Sequence, residues 1–237
     1  MARVYSGNEG IMSIKHIIVF SAIVSTAINS IYGQGILEIA KAENNQFPNP
    51  QSAIRYFIDS ISDNRISDSL KAFCIDDSAN NFNFDKYCEN LGFVLLRNSN
   101  LPTEYKELNK LRNLDIALST IQNIYINLFD INAGVAYAIR ISSKQELQYI
   151  ESKMKPDTLK DIEIIDMHEQ KNDLQEASKI NYEDDRKNDC DIYGADDSII
   201  YVITLKLGNK FTKCSHLKIL KYRENWLIFG GNFEPLK

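Results

Sequence analysis

The chain has 237 residues, of which 44% are hydrophobic, 25% charged and 10% aromatic, at a formal net charge of −5. That composition excludes a disordered chain, a collagen-like chain and a multi-pass membrane protein. The acidic balance argues against nucleic acid as a partner, because phosphate binding needs a basic surface.

The first signal is N-terminal. Lys15 and His16 precede an apolar run over residues 17–28, broken only by small hydroxyl residues, and Asn29, Ser30, Gly33, Gln34 and Gly35 follow. A basic flank, an apolar core of about 7–15 residues and a small-residue exit describe a secretory signal peptide. The run is short for a membrane span, which needs about 20 apolar residues. Residues 1–33 are therefore expected to be removed, with cleavage in the region 33–35 and Met12 as the more typical start. A retained signal anchor is the alternative. A cleaved chain would be secreted or periplasmic, with no stable membrane span left. All four cysteines (Cys74, Cys88, Cys190, Cys214) follow this segment, in an even number and without a CxxC pair. Export makes them disulfide candidates, and pairing 74 with 88 and 190 with 214 keeps each bridge within one half of the chain. Three connectivities are open to four cysteines.

Asn49 followed by Pro50 reads as an N-cap and first helical position. Ile54, Phe57, Ile58 and Ile61 then form one helical stripe, which Asp63-Asn64 breaks. Ile66, Leu70, Phe73 and Cys74 mark a second short helix, and residues 75–83 are polar and loop-like. Phe84, Tyr87, Cys88 and Leu91 mark a third helix, stopped by Gly92. The longest periodic stretch carries Leu111, Leu114, Leu118, Ile121, Tyr125 and Leu128 in steps of three and four, predicting a helix over 103–129. Its stripe suits a core, with a dimer interface as the other use. Residues 135–141 alternate as a strand would, though helix stays open there, and 143–155 read as another helix.

Residues 162–168 read as a strand, and 169–197 as a long charged stretch. Three strands follow: 198–207, 211–222 and 226–229, separated by Gly208-Asn209-Lys210 and by Arg223-Glu224-Asn225. Short polar turns between β-branched runs are hairpin signals. Helices first and an antiparallel meander last make an α+β arrangement, a single domain over 34–237. A three-residue loop at 208–210 would oppose Tyr201 to Leu217 and Ile199 to Ile219. A two-residue loop would oppose Tyr201 to His216 and Ile203 to Cys214. Since a one-residue slip exchanges faces, the first register, which groups apolar with apolar, is the expected one.

Two segments resemble the NTF2-like superfamily, the cone-shaped folds of cystatin-like topology. Residues 50–76, with Ala53, Tyr56, Phe57, Ile58 and then Asn64-Arg65-Ile66-Ser67-Asp68-Ser69-Leu70 and Phe73, are similar to its paired opening helices. Residues 199–229, with Lys221-Tyr222-Arg223-Glu224-Asn225-Trp226 in the last turn, resemble its closing strands. The likeness implies an NTF2-like cone in which 84–155 is a helical insertion. Fold alone selects no function there, since isomerases, dehydratases, ligand binders and protein scaffolds share it.

Enzyme signatures are absent: no Gly-x-Ser-x-Gly, no His-Glu-x-x-His, no P-loop and no Gly-x-Gly-x-x-Gly occur. Asp166 and His168 would share a strand face that Glu169 does not, so no metal site is assigned. Setting Asp189, Asp191 and Gly194 on a calcium loop leaves Tyr193 and Ile200 where oxygen ligands are needed. The acidic run 183–197 therefore reads as a solvated loop. No catalytic residue and no cofactor is assigned. The candidate ligand-binding residues are the apolar sheet positions Tyr201, Leu217, Ile219 and Trp226. The expectation is a non-enzymatic binder of a small apolar ligand or a protein partner. The alternatives are a small isomerase or hydrolase-like enzyme with a cone-shaped apolar pocket, and an assembly protein using the 103–129 helix.

Overall fold

A computed structural model describes residues 46–90, 103–129, 159–170 and 182–236. The expected signal peptide, the stop at Gly92, the strand at 135–141 and the helix at 143–155 lie outside those residues. Helix α1 runs Pro50–Ser62. The Asn49 side chain accepts the Ser52 N–H at 2.8 Å, and the Ser52 hydroxyl accepts the Asn49 N–H. This capping box satisfies donors that the first turn leaves orphaned. Ile54, Phe57, Ile58 and Ile61 are all buried. Ser60 is buried on the same helix, and its hydroxyl has no hydrogen-bond partner among the described residues. Ser60→Ala is therefore expected to be neutral or to stabilise by up to about 1 kcal/mol, because no bond is lost and a desolvated hydroxyl is removed. Urea unfolding of the two proteins measures it.

The chain turns at Asn64, which takes a φ of 58°. The second helix is shorter than its spacing suggests: α2 covers Ile66–Ser69, and a 3₁₀ turn covers Leu70–Ala72. Phe73 is already extended, because it bridges Ile228, whose carbonyl accepts the Cys74 N–H at 2.9 Å. Residues 75–83 are not a loop throughout. Helix α3 (Ile75–Asn80) stands in their first part. It buries only Ile75, Ser78 and Ala79, and the Asn113 side chain donates to the Ser78 hydroxyl at 2.8 Å. Tertiary contact thus holds a helix too short to show a stripe. Helix α4 (Phe84–Asn90) and helix α5 (Thr103–Phe129) follow, the latter with the bounds its spacing predicts.

The α5 stripe faces inward. Leu114, Leu118, Ile121, Tyr125 and Leu128 are buried in the same apolar cluster as the α1 residues, and Leu111 is half-buried. Helix α5 is thus built into the core, and its stripe offers no exposed contact surface.

Among the described residues, five strands form one antiparallel sheet: β1 (Glu163–Glu169), β2 (Asp197–Leu207), β3 (Lys210–Tyr222), β4 (Asn225–Gly230) and β5 (Phe233–Pro235). The order is β1-β2-β3-β4, and β5 pairs with the part of β3 that β4 leaves free. The chain is an α+β protein, helices first and an antiparallel sheet last. The β2–β3 hairpin uses both registers weighed for it. Beside the turn, Leu207 pairs with Lys210 and Ile203 with Cys214, the two-residue-loop register. Farther away, Tyr201 pairs with Leu217 and Ile199 with Ile219. A β-bulge that sets Ser215 and His216 against Val202 makes the change. Turn chemistry thus decides one half and apolar pairing the other.

The acidic stretch 183–197 is not a solvated loop. Helix α6 (Tyr182–Tyr193) occupies most of it and docks on the sheet. Arg186 holds Asp197 through two bonds of 2.7 and 2.6 Å, and Lys218 reaches Asp189 at 2.6 Å. Ile192 and Tyr193 supply its buried end. Gly194 ends the helix at a φ of +59°, the left-handed C-cap position.

Candidate functional site

Tyr201, Leu217 and Ile219 stand inside the core at 3%, 0% and 0% exposure. The Tyr201 hydroxyl is met by Gln51 of α1 at 2.6 Å. Trp226 is half-buried at the rim, with the Lys221 ammonium 5.7 Å from its ring centre. Tyr201, Leu217 and Ile219 are thus closely packed by their neighbours, while Trp226 stands at the edge of that packing.

The cysteines also differ from expectation. All four are free thiols, so neither the 74–88 nor the 190–214 bridge is formed. Each is held by its own surroundings: Cys74 and Cys214 in the core, Cys88 on the buried side of α4, and Cys190 half-buried on α6. They act as small hydrophobes. Burial pushes the Cys74 thiol up to about 12 and the Cys214 thiol up to about 11, and it raises those of Cys88 and Cys190 as well. Thiolates are scarce in such places. Iodoacetamide should therefore spare Cys74 and Cys214 in the folded protein. In denaturant without reductant it should add four adducts, counted by intact mass; two adducts would restore a disulfide.

Asp166 and His168 do share a face, 2.9 Å apart, and both are exposed. Among the described residues, no group of three or more His, Cys, Asp or Glu side chains is arranged to hold a metal.

The concavity of interest lies at one end of the sheet, a polar cleft of about 610 Å³. Four chain segments build it: Gln46 before α1, Asp77 of α3 with Asn81 just after that helix, Gly194 and Asp196 after α6, and Tyr222 to Asn225 across the β3–β4 turn. Several of its polar groups are committed to the fold. Asn225 accepts the Phe47 N–H at 2.7 Å, and the Tyr222 hydroxyl donates to the Tyr193 carbonyl at 3.1 Å. Asp196 accepts the Arg223 N–H, and the Asn81 amide donates to the Asp77 carbonyl at 2.9 Å.

The bond from Asp196 holds Arg223 at a φ of 58°. That conformation costs a non-glycine residue about 1–2 kcal/mol. The tight turn is Arg223-Glu224, with Asn225 already in β4.

Loss of surrounding water raises the Asp77 carboxyl above its usual range. Asp76 adds to the rise, and Arg223 opposes it. Burial lifts the Tyr193 phenol to about 12 and raises that of Tyr222 as well. An Asp beside a Tyr would suit acid–base work, but the Tyr222 hydroxyl is buried and already donating to the Tyr193 carbonyl.

No part of this cleft is marked by a motif. Asp77 and Asn81 lie in a segment that reads as loop, and Asp196 in one that reads as a solvated acidic run. The one available signal is the turn itself: Tyr222-Arg223-Glu224-Asn225 puts Arg where a two-residue hairpin prefers Gly or Asn.

No family model matches the chain, and no curated protein matches it. Among solved structures, a crystal structure of a cystatin-like protein from Ruminococcus gnavus ATCC 29149 aligns at a TM-score of 0.43 and 14% identity. The alignment covers 93% of this chain and 48% of the other, so this chain spans about half the length of that structure. The likeness is too slight to carry an argument.

Proposed function

We propose that the chain is a non-enzymatic binding domain that holds a small polar ligand in the cleft at the β3–β4 turn. The observation that carries this reading is the contrast between the two concave candidates. The sheet interior is filled by Tyr201, Leu217 and Ile219, whereas the cleft has a volume in the range of small-molecule sites and is lined by charged and amide groups. Close packing around Tyr201, Leu217 and Ile219 favours the cleft over the sheet interior, and the charged and amide groups of the cleft favour a polar ligand. The helix-first, sheet-last order supports an NTF2-like cone closed on itself. The apolar run at 17–28 supports export, and N-terminal sequencing of protein recovered from a bacterial envelope fraction would check it.

The ligand reading is tested by two-dimensional amide NMR with a panel of small polar compounds and with an apolar dye as comparison. Saturable shifts are expected at residues 77, 81, 194, 196 and 223–225. Shifts at 201, 217 and 219 with the apolar dye would move the ligand to the sheet interior and overturn the reading.

A further inference from the structure

Asp196, Asn225 and Tyr222 serve the fold in the cleft, but three charged side chains there do not. Among the described residues, the Arg223 guanidinium and the Asp77 and Glu224 carboxylates form no hydrogen bond or ion pair within 4.0 Å. Both signs of charge are therefore left without a direct partner at one concavity. A guanidinium presents a planar fork of donors that matches a carboxylate, and a carboxylate accepts from an ammonium. The backbone adds a second observation. Arg223 occupies a left-handed position that Gly or Asn would fill at less cost, and Asp196 holds it there. Strain of this kind gathers where a side chain must be aimed.

Resting on the polar-ligand reading above, we propose that the cleft takes a small zwitterion, a free amino acid or the like, with its carboxylate on Arg223 and its ammonium on Asp77 and Glu224. An uncharged polar ligand would offer a charged group to none of the three. A simple cation would leave Arg223 facing it with like charge. A ligand carrying both groups meets each requirement at once. The mutual influence of Arg223 and Asp77 places the two charges within electrostatic reach across the cleft.

The test uses the full chain and amide NMR with four probes: glycylglycine, N-acetylglycylglycine, glycylglycine amide, and the doubly blocked N-acetylglycine amide. Glycylglycine should give saturable shifts at residues 77, 194 and 223–225, and blocking either end should weaken binding at least tenfold. Arg223→Gly removes the guanidinium while suiting the backbone, so that variant should stay folded, as its own spectrum reports, and bind at least tenfold more weakly. Arg223→Lys should recover part of the affinity. Equal binding of the blocked and unblocked probes at the same residues would overturn the zwitterion and leave a polar-ligand cleft standing. Unchanged affinity in Arg223→Gly would overturn it likewise. Failure of all four probes to move these residues would overturn both readings.

Discussion

Replacing Gly194 by alanine should destabilise the protein by about 2–4 kcal/mol, through backbone strain and overpacking together. For a chain of this size that corresponds to a fall in Tm of roughly 5–15 °C. The residue sits at a φ of +59°, and a Cβ there would stand 2.7 Å from the Asn81 Cβ and 2.8 Å from the Asn81 carbonyl oxygen. The second contact is backbone, so α3 would have to shift to relieve it. Gly208→Ala is the comparison, because Gly208 has a φ of +60° with nothing near its added Cβ. It should lose only the conformational part, about 1–2 kcal/mol. Thermal unfolding followed by circular dichroism measures both. Equal losses would show that α3 and the end of α6 are not in the close contact described. The same substitution should also disturb the cleft, since Gly194 and Asn81 both line it.

Ile121→Ala should cost about 2–5 kcal/mol, the range for truncating a fully buried aliphatic side chain where the site cannot collapse. Five residues along the same helix, Ile126 is 38% exposed, and Ile126→Ala should change stability by less than about 0.5 kcal/mol. Denaturant midpoints for the pair distinguish a helix that builds the core from one that waits for a partner. In the second case Ile121→Ala would leave the monomer's stability nearly unchanged and weaken self-association, which light scattering would detect.

The long elements were legible because their side chains repeat a period over many residues. Leu114, Leu118, Ile121, Tyr125 and Leu128 mark one face of α5 without help from elsewhere, and Asn49-Pro50 marks where α1 starts. Helices α3 and α6 were not legible. Helix α3 is too short to display a stripe, and α6 is held mostly by Arg186, Asp189 and their partners on the sheet, so its apolar content is confined to its last residues. Ion pairs between distant segments leave no periodic trace in a sequence.

The cleft was illegible for a related reason. Asp77, Asp196 and Arg223 come from separate segments, and each looks like an ordinary polar surface residue until the fold brings them together. The cysteines show the opposite error. Their even number suggested bridges, whereas each is accommodated singly as a small apolar side chain.

The two registers of the β2–β3 hairpin have a consequence for how the chain tolerates change. Strand β5 grips Thr212, Lys213 and Cys214, which lie in the half set by the turn, while Ile199, Tyr201, Leu217 and Ile219 lie in the half set by apolar pairing. One residue inserted at Gly208-Asn209 would let the whole hairpin run in a single register and would make the bulge unnecessary. It would also rotate residues 212–214 out of alignment with β5. Length variation in that exposed turn is thus opposed from the carboxyl-terminal strand, and homologues that lengthen it should have altered or lost β5.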